Sequence, residues 1–260
     1  MKGIRMIKKL TALVLSLMLL AALPMSASAA GHSSTIRSIH SSYVSGNTRA
    51  KSAPQQSANG AYRCVELLEV IADEVGVPYS TVSSIHSSFV SGNTRAKSAE
   101  QQIANGAYRM VELLEAIAAK KGVSSTTISS IHSSYVSGNT RAKSAPQQIA
   151  NGLYRCVELL EGLASAMGAS SSSVSSIHSS YVSGNTRAKS APQQEANGVY
   201  RCVELLELVA ARAGVSSSVI SSIHSSYVSG NTRAKSAEQQ IANGFYRCVE
   251  LLEAIAYALD

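Results

Sequence analysis

Beyond its first thirty residues the chain holds only two aspartates, Asp73 and Asp260, and neither recurs at a fixed interval. A nucleophilic serine needs a base and usually an acid to orient it. The repeated His-Ser-Ser stretches therefore lack a regularly placed third member, and no enzyme is expected. There is no dinucleotide fingerprint, and the spacing in SGNTRAKS is wrong for a phosphate-binding loop. No long apolar run follows the one near the N-terminus, so no membrane span is expected after that segment. The only dibasic pair after that segment, Lys120-Lys121, argues against a precursor cut regularly into peptides.

What is present begins with an export pattern. Lys2, Arg5, Lys8 and Lys9 precede an apolar run over residues 10–23 and a small-residue stretch, Ala27-Ser28-Ala29-Ala30. This is the layout of a secretory signal peptide over 1–30, and a secreted, extracellular product is expected. The leader takes four of the 23 basic residues and none of the 16 acidic ones, leaving 19 − 16 = +3. Electrostatic arguments then depend on where the charges sit.

The remaining 230 residues repeat. His40, His86, His132, His178 and His224 are each 46 residues apart, which divides the chain into 31–76, 77–122, 123–168, 169–214 and 215–260 without insertion or deletion. Fixed length is expected where repeats stack, because one extra residue would shift every later contact. In the third unit a short helix is predicted over residues 126–137, with Ile128, Ile131, Tyr135 and Val136 on one face and Gly138 as a left-handed C-cap. A long helix is predicted from an N-cap at Ser144 to Gly168. Pro54, Pro146 and Pro192 alternate there with Glu100 and Glu238. Proline and glutamate interchange in the first turn of a helix and almost nowhere else. The Ala-Asn-Gly triplet in mid-helix implies close approach of a neighbouring helix rather than a break, since the apolar period continues across it. The expected fold is all-α, an α-solenoid of five two-helix repeats. Neither terminal unit has an obviously polar outer face, so apolar ends able to pair with other chains are expected, and with them a homo-oligomer.

Cys64, Cys156, Cys202 and Cys248 occupy one position of the unit, and Met110 takes it in the second. Equivalent positions on stacked helices lie about 8–10 Å apart, too far for a disulfide, so buried free thiols are expected. One histidine and one sulfur per unit is too few for a closed metal site, so no metal and no cofactor is expected. The histidines are expected to be partly buried and hydrogen-bonded.

The segment VSGNTRAKSA is letter-identical in all five units, whereas the turns between units vary. A packing account uses Gly and Asn for the turn and an arginine, such as Arg141, bridging to Glu158 or Glu161. A functional account uses the same loop as an anion site leading into a helix N-terminus. Its ligand-binding residues are Asn47, Arg49, Lys51, Asn93, Arg95, Lys97, Asn139, Arg141, Lys143, Asn185, Arg187, Lys189, Asn231, Arg233 and Lys235. The expected partner is an anionic polymer (a wall polymer, a glycan or extracellular nucleic acid) or a protein. The alternative is a structural or matrix protein that self-assembles through its uncapped ends.

Overall fold

The computed structural model describes residues 31–260; the expected signal peptide lies outside the described residues. Among the described residues there are ten helices and no strand. Short helices α1 (Ser33–Arg49), α3 (Tyr79–Arg95), α5 (Ser125–Arg141), α7 (Ser171–Arg187) and α9 (Ser217–Arg233) alternate with long ones. The long helices are α2 (Ala53–Glu74), α4 (Ala99–Lys120), α6 (Ala145–Ala166), α8 (Ala191–Ala213) and α10 (Ala237–Leu259). The expected array of two-helix repeats is present.

Local chemistry places the helix ends. Ser52, Ser98, Ser144, Ser190 and Ser236 are extended N-caps of the long helices. The caps of α4 and α10 accept from the backbone N–H three residues on, Gln101 and Gln239; those units carry glutamate in the first turn where the others carry proline. Ser124, Ser170 and Ser216 cap α5, α7 and α9 in the same way. The turns between units pass through Gly76, Gly122, Gly168 and Gly214, at φ between 79° and 95°, where a Cβ would be strained.

Two expectations from the sequence are corrected. The short helices do not stop at Ser-Gly. Gly138 is helical, and α5 runs on through Asn139 and Thr140 to Arg141. The cause is the Ala-Asn-Gly triplet opposite. A Cβ on Gly138 would lie 2.7 Å from Cγ of Asn151, so the glycine admits that side chain rather than ending the helix. Val136 is the other correction. It is 46 % exposed and faces outward, while Ile131 and Tyr135 are buried.

The long helices run unbroken through Ala-Asn-Gly, and here helices do approach closely. A Cβ on Gly106 would meet the Ala61 methyl at 3.1 Å, one on Gly152 that of Ala107 at 2.8 Å, and one on Gly198 the Leu153 Cβ at 3.0 Å. The same contact links the two ends of the chain, with Gly60 of α2 against Phe245 of α10 at 2.7 Å. Each long helix packs on the next, and α10 packs on α2 as the others pack among themselves. The array is therefore a closed ring with the long helices inside and the short helices outside. Each short helix lies on its own long helix and on that of the preceding unit, α1 touching α10 included.

Closure corrects the expectation of uncovered terminal faces. The first and last units cover each other. Tyr43 packs on Tyr246 with ring centres 5.3 Å apart and planes tilted by 51°, as Tyr62 packs on Phe89 and Tyr108 on Tyr135 at the internal seams. The Asp260 carboxylate accepts from the His32 backbone N–H and the Ser33 hydroxyl.

Closure can be tested at its seam. Replacing Gly60 by Val should destabilise the fold about as much as replacing Gly152 by Val, roughly 1–3 kcal/mol for overpacking. In an open array Gly60 would have no neighbour, and the Gly60→Val protein would unfold in urea at the wild-type midpoint or above it.

Candidate anion-binding face

Rotation about the ring axis preserves each helix's sense along that axis. All five long helices therefore begin on one face, and the five VSGNTRAKSA segments gather there. Each segment supplies the end of a short helix, the connection, and the first residue of a long helix.

The structure divides the expected site residues into two kinds. The asparagines are engaged in packing. Asn59 Nδ2 donates to the Tyr43 carbonyl at 2.9 Å and to Asn47 Oδ1 at 3.0 Å. The same pair of bonds recurs at Asn93, Asn139, Asn185 and Asn231. Together with the glycine beside it, this asparagine locks the two helices of a unit. The cations are different. Arg49, Arg95, Arg141, Arg187 and Arg233 are exposed, as are Lys51, Lys97, Lys143, Lys189 and Lys235. Each arginine Nε donates to the carbonyl four residues back at 3.1–3.2 Å, at the negative end of the short helix. None of the ten forms an ion pair among the described residues. The main-chain N–H of each lysine is held by the glutamine four residues on, at 2.6–2.7 Å in all five units, and among the described residues the lysine side chains have no hydrogen-bond partner.

The expected bridge from Arg141 to Glu158 or Glu161 does not form. Glu158 pairs with Arg155 at 2.5 Å, and that guanidinium stacks on Tyr154 with its carbon 4.4 Å from the ring centre. Glu161 pairs with His178 of the next unit at 3.1 Å. Histidine thus supplies the ladder that arginine was expected to supply. His40–Glu253, His86–Glu69, His132–Glu115 and His224–Glu207 complete it at 2.9–3.1 Å, the first across the closing seam. The hydrogen bond to Glu69 holds the His86 pKa above its ordinary value.

The axis was not anticipated from the sequence. A cavity of about 30 Å³ lies on it, lined by all five long helices. Its wall includes Leu153, Val199 and Phe245, then Cys64, Met110, Cys156, Cys202 and Cys248, then Leu68, Leu114, Leu160, Leu206 and Leu252. The cysteines are free and buried, as expected. Burial pushes the Cys202 thiol up to about 12 and raises the other three as well. Four residues before the first of these layers, on the same helical stripe, stand Ser57, Ile103, Ile149, Glu195 and Ile241, all buried. Glu195 is 5 % exposed, and its Oε1 has no hydrogen-bond partner among the described residues. Burial is the main cause that lifts its pKa to about 8, with the charges of Glu238 and Glu100 adding to it. Its signal in the sequence is a lone glutamate where three other units carry isoleucine.

Compared with protein-family models, with curated proteins and with solved structures, the chain matches none. Among the described residues no helix is long and apolar enough to cross a membrane.

Two measurements follow from the axis. With its pKa lifted to about 8, Glu195 is mostly neutral in the folded ring below that pH but ionises near 4.5 when unfolded. Its raised pKa contributes stability that is fully present below pH 4.5 and lost as pH rises through 8. Between pH 5 and pH 9 the wild type should lose about 2–4 kcal/mol more stability than Glu195→Ile, read by urea unfolding. Parallel pH profiles for the two proteins would contradict this. The four thiols should react slowly with a thiol reagent in the native ring and quickly in denaturant; rapid native labelling would show that the axis is open.

Proposed function

We propose that this is an exported, non-enzymatic helical-repeat protein that binds an anionic polymer through the Arg–Lys face of its ring. The observation that carries the reading is the set of ten exposed cations, free of ion pairs among the described residues, in segments identical in all five units. Packing accounts for the glycine and asparagine of those segments. It does not account for the lysine, whose side chain makes no bond among the described residues. The long helices begin beside these cations, and their positive ends add to the same field.

Closure changes the shape of the partner surface. The five cation pairs lie around a circle, so a polymer reaches several of them by lying across the face or curving around it. Each unit contributes weakly, and simultaneous contacts raise the avidity. A wall polymer, an anionic glycan and extracellular nucleic acid all present the required repeated charge, and an exported protein would meet them. The alternative, assembly through uncovered repeat ends, has no supporting observation, because those ends pack on each other.

The test uses heparin and duplex DNA as probes. Changing the five arginines Arg49, Arg95, Arg141, Arg187 and Arg233 to Gln, and separately the five lysines, should weaken binding in each case and leave the helical spectrum native. For duplex DNA the slope of log affinity against log salt should fall by about 0.9 for each phosphate that is no longer neutralised. A change in one unit should cost far less than the set of five. Binding that ignores salt and both sets of substitutions would remove this face from the function.

A further inference from the structure

We propose that the sulfur layer on the ring axis binds a soft monovalent d10 cation of the copper(I) or silver(I) kind, between a cysteine thiolate and the Met110 thioether. Residues 31–260 contain four cysteines and two methionines, Met110 and Met167. Five of these six sulfurs line one cavity in a single layer, one from each unit. Cysteine and methionine differ widely in volume, so size is not what this layer keeps constant; sulfur is. The layer on one side is leucine in all five units. On the other side the residues are Ala61, Ala107, Leu153, Val199 and Phe245, as expected where only packing matters.

Counting ligands per unit makes a metal site look impossible. The ring overturns that count, because five units pool their sulfurs around one axis.

The chemistry of the layer selects the ion. No three His, Cys, Asp or Glu side chains among the described residues are grouped to hold a metal, which disfavours the four-ligand site of zinc. A two-coordinate d10 cation needs only two donors, and thiolate and thioether are the soft ligands it prefers. Charge points the same way. Binding breaks one S–H bond and forms one S–metal bond; the proton leaves to solvent and nothing is oxidised or reduced. One thiolate, one neutral thioether and one monovalent cation sum to zero, which suits a wall made of Leu, Val and Phe. In ring order Met110 stands between Cys64 and Cys156, and all three line the same cavity, which makes these two the candidate thiolates. The cavity of about 30 Å³ gives the ion room.

The reduced protein would be titrated with silver nitrate, a redox-inert probe, in a buffer free of halide and thiol. The expected result is silver retained through dialysis, one proton released per ion, and an X-ray absorption spectrum with sulfur alone around the metal. Met110→Leu preserves the apolar layer and should lower the affinity about tenfold or more, since even loss of an outer partner costs about 10–100-fold. Replacing all four cysteines by Ala should abolish retention. If that protein does not fold, the spectrum and Met110→Leu decide. No retained silver, nitrogen or oxygen around the metal, or wild-type affinity in Met110→Leu would each overturn the proposal and leave the sulfurs as packing.

Discussion

The ring depends on one contact repeated five times, in which a glycine of one long helix receives the side chain of the helix before it. Gly60, Gly106, Gly152, Gly198 and Gly244 take Phe245, Ala61, Ala107, Leu153 and Val199. A mid-helix glycine costs about 1 kcal/mol against alanine, and a bare backbone is what lets two helices come this close. Helix separation sets the radius of a five-helix ring, and the radius sets the width of its axis. Thus the same glycines keep the central cavity too small for a large ligand and bring five equivalent side chains toward one another.

Around this inner ring the seams repeat a layered chemistry. Aromatic pairs of Tyr with Tyr or Phe, at 4.8–5.3 Å, bury the short helices against the preceding unit. A histidine–glutamate bond lies beside each of them. Burial raises the pKa of Glu115, Glu161, Glu207 and Glu253, and the imidazole beside each one opposes that rise. The exposed cations are left to one face, and sulfur and a solitary buried carboxyl to the axis. Structure and candidate sites therefore use different atoms of the same unit.

The two-helix unit is legible in the sequence because its signals are local. The exchange of Pro146-type residues with glutamate marks the start of a long helix, and an uninterrupted period of 46 marks a stack. The close approach at Ala-Asn-Gly is legible from the apolar period that continues through it. Closure is not, since curvature depends on the small rotation between units, which no single motif encodes. Gly138 looks like a helix end because a glycine after a polar turn usually is one; its reason for being there, Asn151, stands thirteen residues later on another helix. The histidines are expected to be partly buried and hydrogen-bonded; the bond forms, but only His86 is half-buried and the other four are exposed, because the partner carboxylate sits at the rim of the seam. For four of them that partner lies seventeen residues earlier, in the previous unit, and for His40 it is Glu253 across the closing seam. The sulfur layer is hidden when ligands are counted along the chain, whereas the ring counts them around its axis.

Closure also bears on how such a gene can change. Long identical stretches in tandem misalign during copying, and an open array absorbs the gain or loss of a unit as a change of length. A ring cannot. Each seam here turns the chain by a fifth of a circle, and a sixth unit would ask every seam for a sixth. One copying error would strain all the interfaces together, so selection would act on the number of repeats as strictly as on any residue within them.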